Sequence, residues 1–222
     1  MTTKLALIST GVGVVAPIMA IIKEEAPDTE IFNIVDDSIV RTIAANDNII
    51  PPGIIRRLTG YMVSAEELGV DAVLVTCSSI SEVVDMARPY VKIPVFKIDE
   101  PMADKAVAMG RRIGVAATLA TTLEPTKRLI QSQAKKASKD IIIEDELCPG
   151  AFELLIGGNP EKHDEIVKDA VLKLLDRSDV VVLAQASMAR AVQGLGPFQE
   201  RVLTSPRLGV MNVVNYLKSS QS

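Results

Sequence analysis

The stretch "DAVLVTCSSI", residues 71–80, runs from an acid through five apolar or β-branched positions into a cysteine and two serines. A second version, "DVVVLAQASM", occupies residues 179–188. Each apolar run is too short for a buried helix and ends in small polar residues, so each reads as a strand buried on both faces. "KLALIST" (4–10) and "RIGVAAT" (112–118) form a second matching pair. Asp71 to Asp179 spans 108 residues, and Thr10 to Thr118 also spans 108. Equal offsets at two separate places predict two similar halves.

Further strands are expected at 30–35, 94–98, 140–143 and 201–203, with helical patterns at 17–25, 54–68, 80–87, 102–109, 125–138 and 165–175. Strand and helix in repetition mean βαβ units and parallel sheets. The expected fold is therefore α/β: two similar Rossmann-like parallel-sheet halves with the active site in the cleft between them. The first half takes residues 1–98 plus 208–222 and the second takes 99–207. The tail "LGVMNVVNYLKSS" (208–220) is expected to return as a helix onto the first half.

Composition agrees with this fold. Hydrophobic residues make up 48% and aromatics only 3%, so an Ile, Val, Leu, Ala and Met core is expected, as under a covered parallel sheet. A net charge of -4 with no concentrated basic block argues against nucleic acid. No apolar run is long enough to cross a bilayer, and "MTTKLALIST" reads as the start of a strand rather than a signal peptide. A cytoplasmic location is expected, in which two cysteines are free thiols rather than a disulfide.

Ligands of open parallel sheets bind beyond the carboxyl ends of the strands. Those ends carry Thr10 and Gly11, Asp36 and Asp37, Cys77 to Ser79, Thr118, Asp145 to Cys148, and Gln185 to Ser187. Cys77 stands out. Ser79 and Glu82 fit the S-x-x-E capping box, which predicts a helix starting beside the thiol. Free helix amides and the helix dipole would then lower the thiol pKa. The plainer alternative is a small apolar filler, since free cysteine is commonly buried and inert.

These residues resemble the Asp/Glu racemase superfamily, which includes aspartate, glutamate and hydantoin racemases, maleate isomerases and arylmalonate decarboxylases. "ISTGVG" (8–13), "TCSS" (76–79), "GVAATLATT" (114–122) and "VLAQASMA" (182–189) carry the resemblance. It implies a cofactor-independent enzyme in which two facing cysteines remove and return the α-proton of a small carboxylate. An acid and a base on opposite faces of the carbon are what inversion requires. Cys77 matches the first of these cysteines. At the second the chain departs from the pattern, with Gln185, Ala186 and Ser187. Cys148, in "EDELCPGAF" (144–152), is the other candidate catalytic thiol. Without it the chain would be a one-cysteine decarboxylase or cis–trans isomerase. Thr10, Gly11, Ser78, Ser79, Thr118 and Ser187 are the candidate substrate-binding residues, supplying hydroxyls and amides to carboxylate oxygens. The expected partner is a small carboxylate, and a homo-oligomer is expected.

Other signals leave alternatives open. "GVGVVA" (11–16) fits G-x-G-x-x-[GA] after a strand, and Asp36 or Asp37 could bind a ribose, so an NAD- or ligand-binding protein stands as a rival. Thr121 and Glu124 fit a second capping box. His163, the sole histidine, reads as a surface or capping residue. Arg41, Arg56 and Arg57 read as surface cations. No metal-ligand spacing is present.

Overall fold

The structure, a computed structural model, describes residues 2–220. Its strands are β1 (Lys4–Ser9), β2 (Glu30–Val35), β3 (Ala72–Val75), β4 (Val95–Lys97), β5 (Arg112–Ala117), β6 (Ile142–Leu147), β7 (Val180–Leu183) and β8 (Val202–Thr204). Its helices are α1 (Val15–Glu25), α2 (Ser38–Ala44), α3 (Pro52–Glu67), α4 (Ser81–Ala87), α5 (Glu100–Met109), α6 (Ala120–Lys136), α7 (Ala151–Ile156), α8 (Pro160–Leu175) and α9 (Ser205–Ser219). The chain divides into two compact units: the part up to Glu100 with the part from Pro206 onward, and Pro101–Ser205.

Each unit holds one four-stranded parallel sheet, ordered β2-β1-β3-β4 in the first and β6-β5-β7-β8 in the second. The repeat extends to register. Leu5 pairs with Ala72, and 108 residues on, Ile113 pairs with Val180. The Asp71 carboxylate accepts the Lys4 amide at 2.7 Å, and the Asp179 carboxylate accepts the Arg112 amide at 2.8 Å. An acid at the head of the third strand thus pins the first strand in both units.

Period-two alternation explains the layering of the first unit. Ala6, Ile8, Val73 and Val75 face one way, onto Ile39 and Ile43 of α2, Ile54, Leu58 and Met62 of α3, and Val83 and Val84 of α4. Leu5, Leu7, Ala72 and Leu74 face the other way, onto Ile18 and Ile22 of α1 and onto Val210, Val213, Val214 and Leu217 of α9. In the second unit, Ala116, Val181 and Leu183 pack under Ala151 of α7 and under Val167, Ala170, Val171 and Leu174 of α8.

Several elements differ from the sequence expectation, among them α8, expected at 165–175 and found at Pro160–Leu175. The strand expected at 140–143 is β6 at Ile142–Leu147, which includes Glu144, Asp145 and Glu146. It is an edge strand, so its outward side chains meet solvent and cations: Glu144 pairs with Arg112 at 2.9 Å and Glu146 with Arg177 at 2.7 Å. Helix α6 starts at Ala120, with Pro125 buried one turn inside, where the proline forfeits a hydrogen bond to the Thr121 carbonyl. Helix α2 was not expected, because Asp36 and Asp37 read as a strand-end loop. Among the described residues no helix is long and apolar enough to cross a membrane.

Candidate active site at the strand ends

The carboxyl ends of β1, β3 and β4 gather the polar residues of the first unit. Ser9 Oγ and Thr76 Oγ1 lie 2.8 Å apart, tying the end of β1 to the end of β3. Cys77 follows and is partly exposed. Ser78 and Ser79 lie in a 3-10 turn, Ser78–Ile80, before α4 begins at Ser81. Thr10, Ser78 and Ser79 are all buried, at 8%, 7% and 2% exposure. Gly11 is extended, and a Cβ added at Gly11 or Gly13 would meet nothing within 4 Å. The glycines are therefore not forced by backbone conformation; they leave open space along the loop, where Val12 is 72% exposed.

The structure corrects the thiol electrostatics. No capping box forms at α4: its N-cap is Ile80, without a side-chain cap. The intervening 3-10 turn moves the helix start away from the sulfur. Burial pushes the Cys77 thiol above its ordinary range, and the Asp99 charge pushes it the same way. Thr10 and the amide and hydroxyl of Ser79 oppose this without overcoming it. Ser79 Oγ is buried and makes no well-formed hydrogen bond, so its hold on the sulfur is weak. The second capping box is also absent: Thr121 and Glu124 both lie inside α6, whose N-cap Leu119 carries no side-chain cap.

Asp99, just beyond β4, is the site residue that sequence reasoning missed. It is 1% exposed, and Oδ1 accepts the Ser81 hydroxyl at 3.0 Å, whereas Oδ2 has no well-formed partner. Burial raises its pKa against the hydrogen bonds of Ser81 and Ser78 and the charge of Lys97. The available signal was an acid at a fourth strand end, in "KIDEP" (97–101).

At the end of β2, Asp36 is fully engaged. Ser38 Oγ donates to Oδ1 at 2.5 Å, while Arg57 Nη1 and Tyr61 Oη each donate to Oδ2 at 2.8 Å. Burial would raise its pKa, but Ser38, Tyr61 and Arg57 together bring it below the usual carboxylate range. Asp37 pairs with Arg41 on the surface at 3.0 Å.

The second unit carries a different set at the equivalent ends. Gln185, 108 residues after Cys77, holds Thr118 twice: Oε1 accepts the Thr118 amide at 2.6 Å and Nε2 donates to Thr118 Oγ1 at 2.7 Å. Thr118 is 4% exposed and Ser187 is partly exposed. Cys148 follows β6, where its amide bonds the Ala117 carbonyl at 2.7 Å, as the Asp36 amide bonds the Ser9 carbonyl at 3.0 Å in the first unit. Cys148 is 2% exposed within the cluster containing Ala116, Ala151 and Leu183. Burial pushes its thiol up to about 11. His163 is fully buried in the first turn of α8, not on the surface. Its Nδ1 lies 2.8 Å from Asp164, which accepts Arg190 Nε at 2.6 Å. Among the described residues no cluster of three or more His, Cys, Asp or Glu is placed to hold a metal.

The family model for Asp/Glu/Hydantoin racemase matches residues 8–213. The chain belongs to this family. No curated protein matches it. Solved structures of racemases share the fold of this family member. An aspartate racemase from Picrophilus torridus is 11% identical with a TM-score of 0.72, over 97% of this chain and 94% of that one. A glutamate racemase isoform from Bacillus anthracis is 15% identical with a TM-score of 0.68, over 98% and 82%. An allantoin racemase from Klebsiella pneumoniae is 19% identical with a TM-score of 0.66, over 99% and 89%. Membership of the Asp/Glu/Hydantoin racemase family supports an isomerase-type enzyme acting on a small carboxylate.

Proposed function

We propose that this protein moves the α-proton of a small amino acid or related carboxylate without a cofactor, using the Cys77 thiol as the proton-transfer group. The observation that carries this reading is the placement of Cys77: a partly exposed thiol at a strand end, among Thr10, Ser78 and Ser79, in a chain of the racemase family. The thiolate takes the α-proton and leaves an enolate-like carboxylate. Hydroxyls of Thr10, Ser78 and Ser79 and the open Gly11 backbone supply donors toward the developing charge. Thr118 and Ser187 are further candidate donors; Thr118 Oγ1 accepts from Gln185 and keeps its own proton to donate.

A second reading is favoured by two observations. Gln185 stands where the repeat would place a second thiol, and an amide neither gives up nor takes a proton near neutral pH. Cys148 is 2% exposed, with its thiol raised to about 11. One-thiol chemistry, as in a cis–trans isomerisation or a decarboxylation, needs only Cys77.

Incubation in deuterated water with a panel of amino acids, hydroxy acids and dicarboxylates tests both readings. Deuterium is expected at the α-carbon of one substrate class, and Cys77→Ser is expected to abolish its incorporation. Incorporation that persists in Cys77→Ser would remove this thiol from the reaction. Loss in Cys148→Ser without loss of fold selects two-thiol chemistry. Because the Cys77 thiol is raised, only a minor fraction is thiolate at neutral pH.

A further inference from the structure

The register of β3 and β4 places two ionisable side chains next to each other. Val75 pairs with Lys97, the last pair of the register, and Cys77 and Asp99 each lie two residues further along their chains. The Ile98 amide bonds the Val75 carbonyl at 3.0 Å, which carries the alignment past the end of β4. Adjacent strands are about 4.8 Å apart, and residues at one level project to the same side of the sheet. Asp99 is 1% exposed and Ser78, between the two groups in sequence, is 7% exposed.

We propose that Cys77 and Asp99 form a coupled pair that carries one negative charge between them, so that the Cys77 thiolate works only while Asp99 keeps its proton. This rests on Cys77 being the proton-transfer group and makes Asp99 a positioning residue for its charge. Several facts support it. Asp99 Oδ2 is buried without a well-formed partner, which makes a carboxylate there costly and lets Asp99 compete with the thiol for a proton. Oδ1 is held by the Ser81 hydroxyl at the start of α4, which fixes the carboxyl plane. The nearby cation is already committed: Lys97 Nζ lies 2.9 Å from Asp85 and 3.8 Å from Glu100. Arg88 pairs with both Asp85 and Glu100, at 3.0 Å each. The remaining acid on α4 is Glu82. Lys97, the β4 cation that acts on Asp99, is shared with Asp85 and Glu100, so it does not neutralise two charges at 77 and 99, and two adjacent anions at a largely buried site do not readily both ionise. In the proton transfer itself, which starts from the form with the shared proton on Asp99, the substrate proton bonds to sulfur and the electron pair stays on the enolate.

The test is the pH dependence of iodoacetamide alkylation at Cys77, read by peptide mapping in the absence of substrate. Asp99→Asn keeps the acceptor for Ser81 and removes the Asp99 charge that, in the wild type, holds Cys77 in its thiol form. Its alkylation midpoint is expected to fall by about one unit or more, a roughly tenfold gain in rate at a fixed pH below the midpoint. Asp99→Ser, neutral and smaller, is expected to shift it in the same direction and serves if the amide variant does not fold. Asp99→Glu is expected to leave it near the wild-type value. An unchanged midpoint in the neutral variants, or an equal shift in Asp99→Glu, would overturn the pairing. The readout needs no turnover, so this failure is distinct from failure of deuterium exchange.

Discussion

The Asp36 carboxylate closes β2 on Ser38, Arg57 and Tyr61, and its contribution to stability has a definite sign. Its folded pKa lies below the usual range, so the ionised form is the one the fold favours. That stability is fully present above the unfolded value, near pH 4, and is lost as the pH falls through the folded one. Asp36→Asn should cost about 1–3 kcal/mol at neutral pH and flatten the acid limb of a urea-midpoint profile below about pH 5. Gln185 is a second residue whose role lies in its contacts. Gln185→Ala removes both bonds to Thr118 and strands a buried amide, so urea unfolding should show a loss of about 1–3 kcal/mol. The sequence made Cys77, Thr10 and Ser79 legible because they sit where apolar strands stop. The direction of the thiol pKa was not legible. It depends on the 3-10 turn at Ser78–Ile80 and on Asp99 from another strand, and the residues around the thiol announce neither.

The strands buried on both faces, β1, β3, β5 and β7, were readable because burial demands unbroken apolar runs. β6 was read only at its start, since Glu144 and Glu146 find arginines across an edge that only the tertiary fold supplies. Both capping-box matches failed because spacing alone does not decide where a helix begins: a 3-10 turn delays α4, whereas α6 already begins at Ala120, ahead of Thr121. Helix α9 depends on Gly209, where a Cβ would lie 2.4 Å from the Ile98 carbonyl oxygen. Backbone cannot yield as a flexible side chain does. Gly209→Ala should therefore push α9 off β4 at a cost of about 1–3 kcal/mol, read in thermal unfolding. It should also change the alkylation profile of Cys77, because Ile98 immediately precedes Asp99.

The repeat gives the molecule two sheets of one topology but different strand-end chemistry: Cys77 and Asp36 in the first unit correspond to Gln185 and Cys148 in the second. The equal offsets made this duplication visible, since register is preserved wherever length is. The differing chemistry was visible only as letters, because burial of Cys148 follows from α7 and α8 closing over it. The units also differ in how the chain completes them. Val210, Val213, Val214 and Leu217 of α9 are each at most 2% exposed against β1, β3 and α1. At about 1.5–3 kcal/mol for each buried aliphatic side chain, that face is comparable to the whole stability of a domain. A chain ending at Ser205 should lose the cooperative unfolding of the first unit, with circular dichroism and limited proteolysis reporting survival of 101–205. During synthesis on the ribosome the order of maturation is then inverted. The half translated first waits for α9 to emerge, while the half translated second closes as soon as its own contiguous stretch is free.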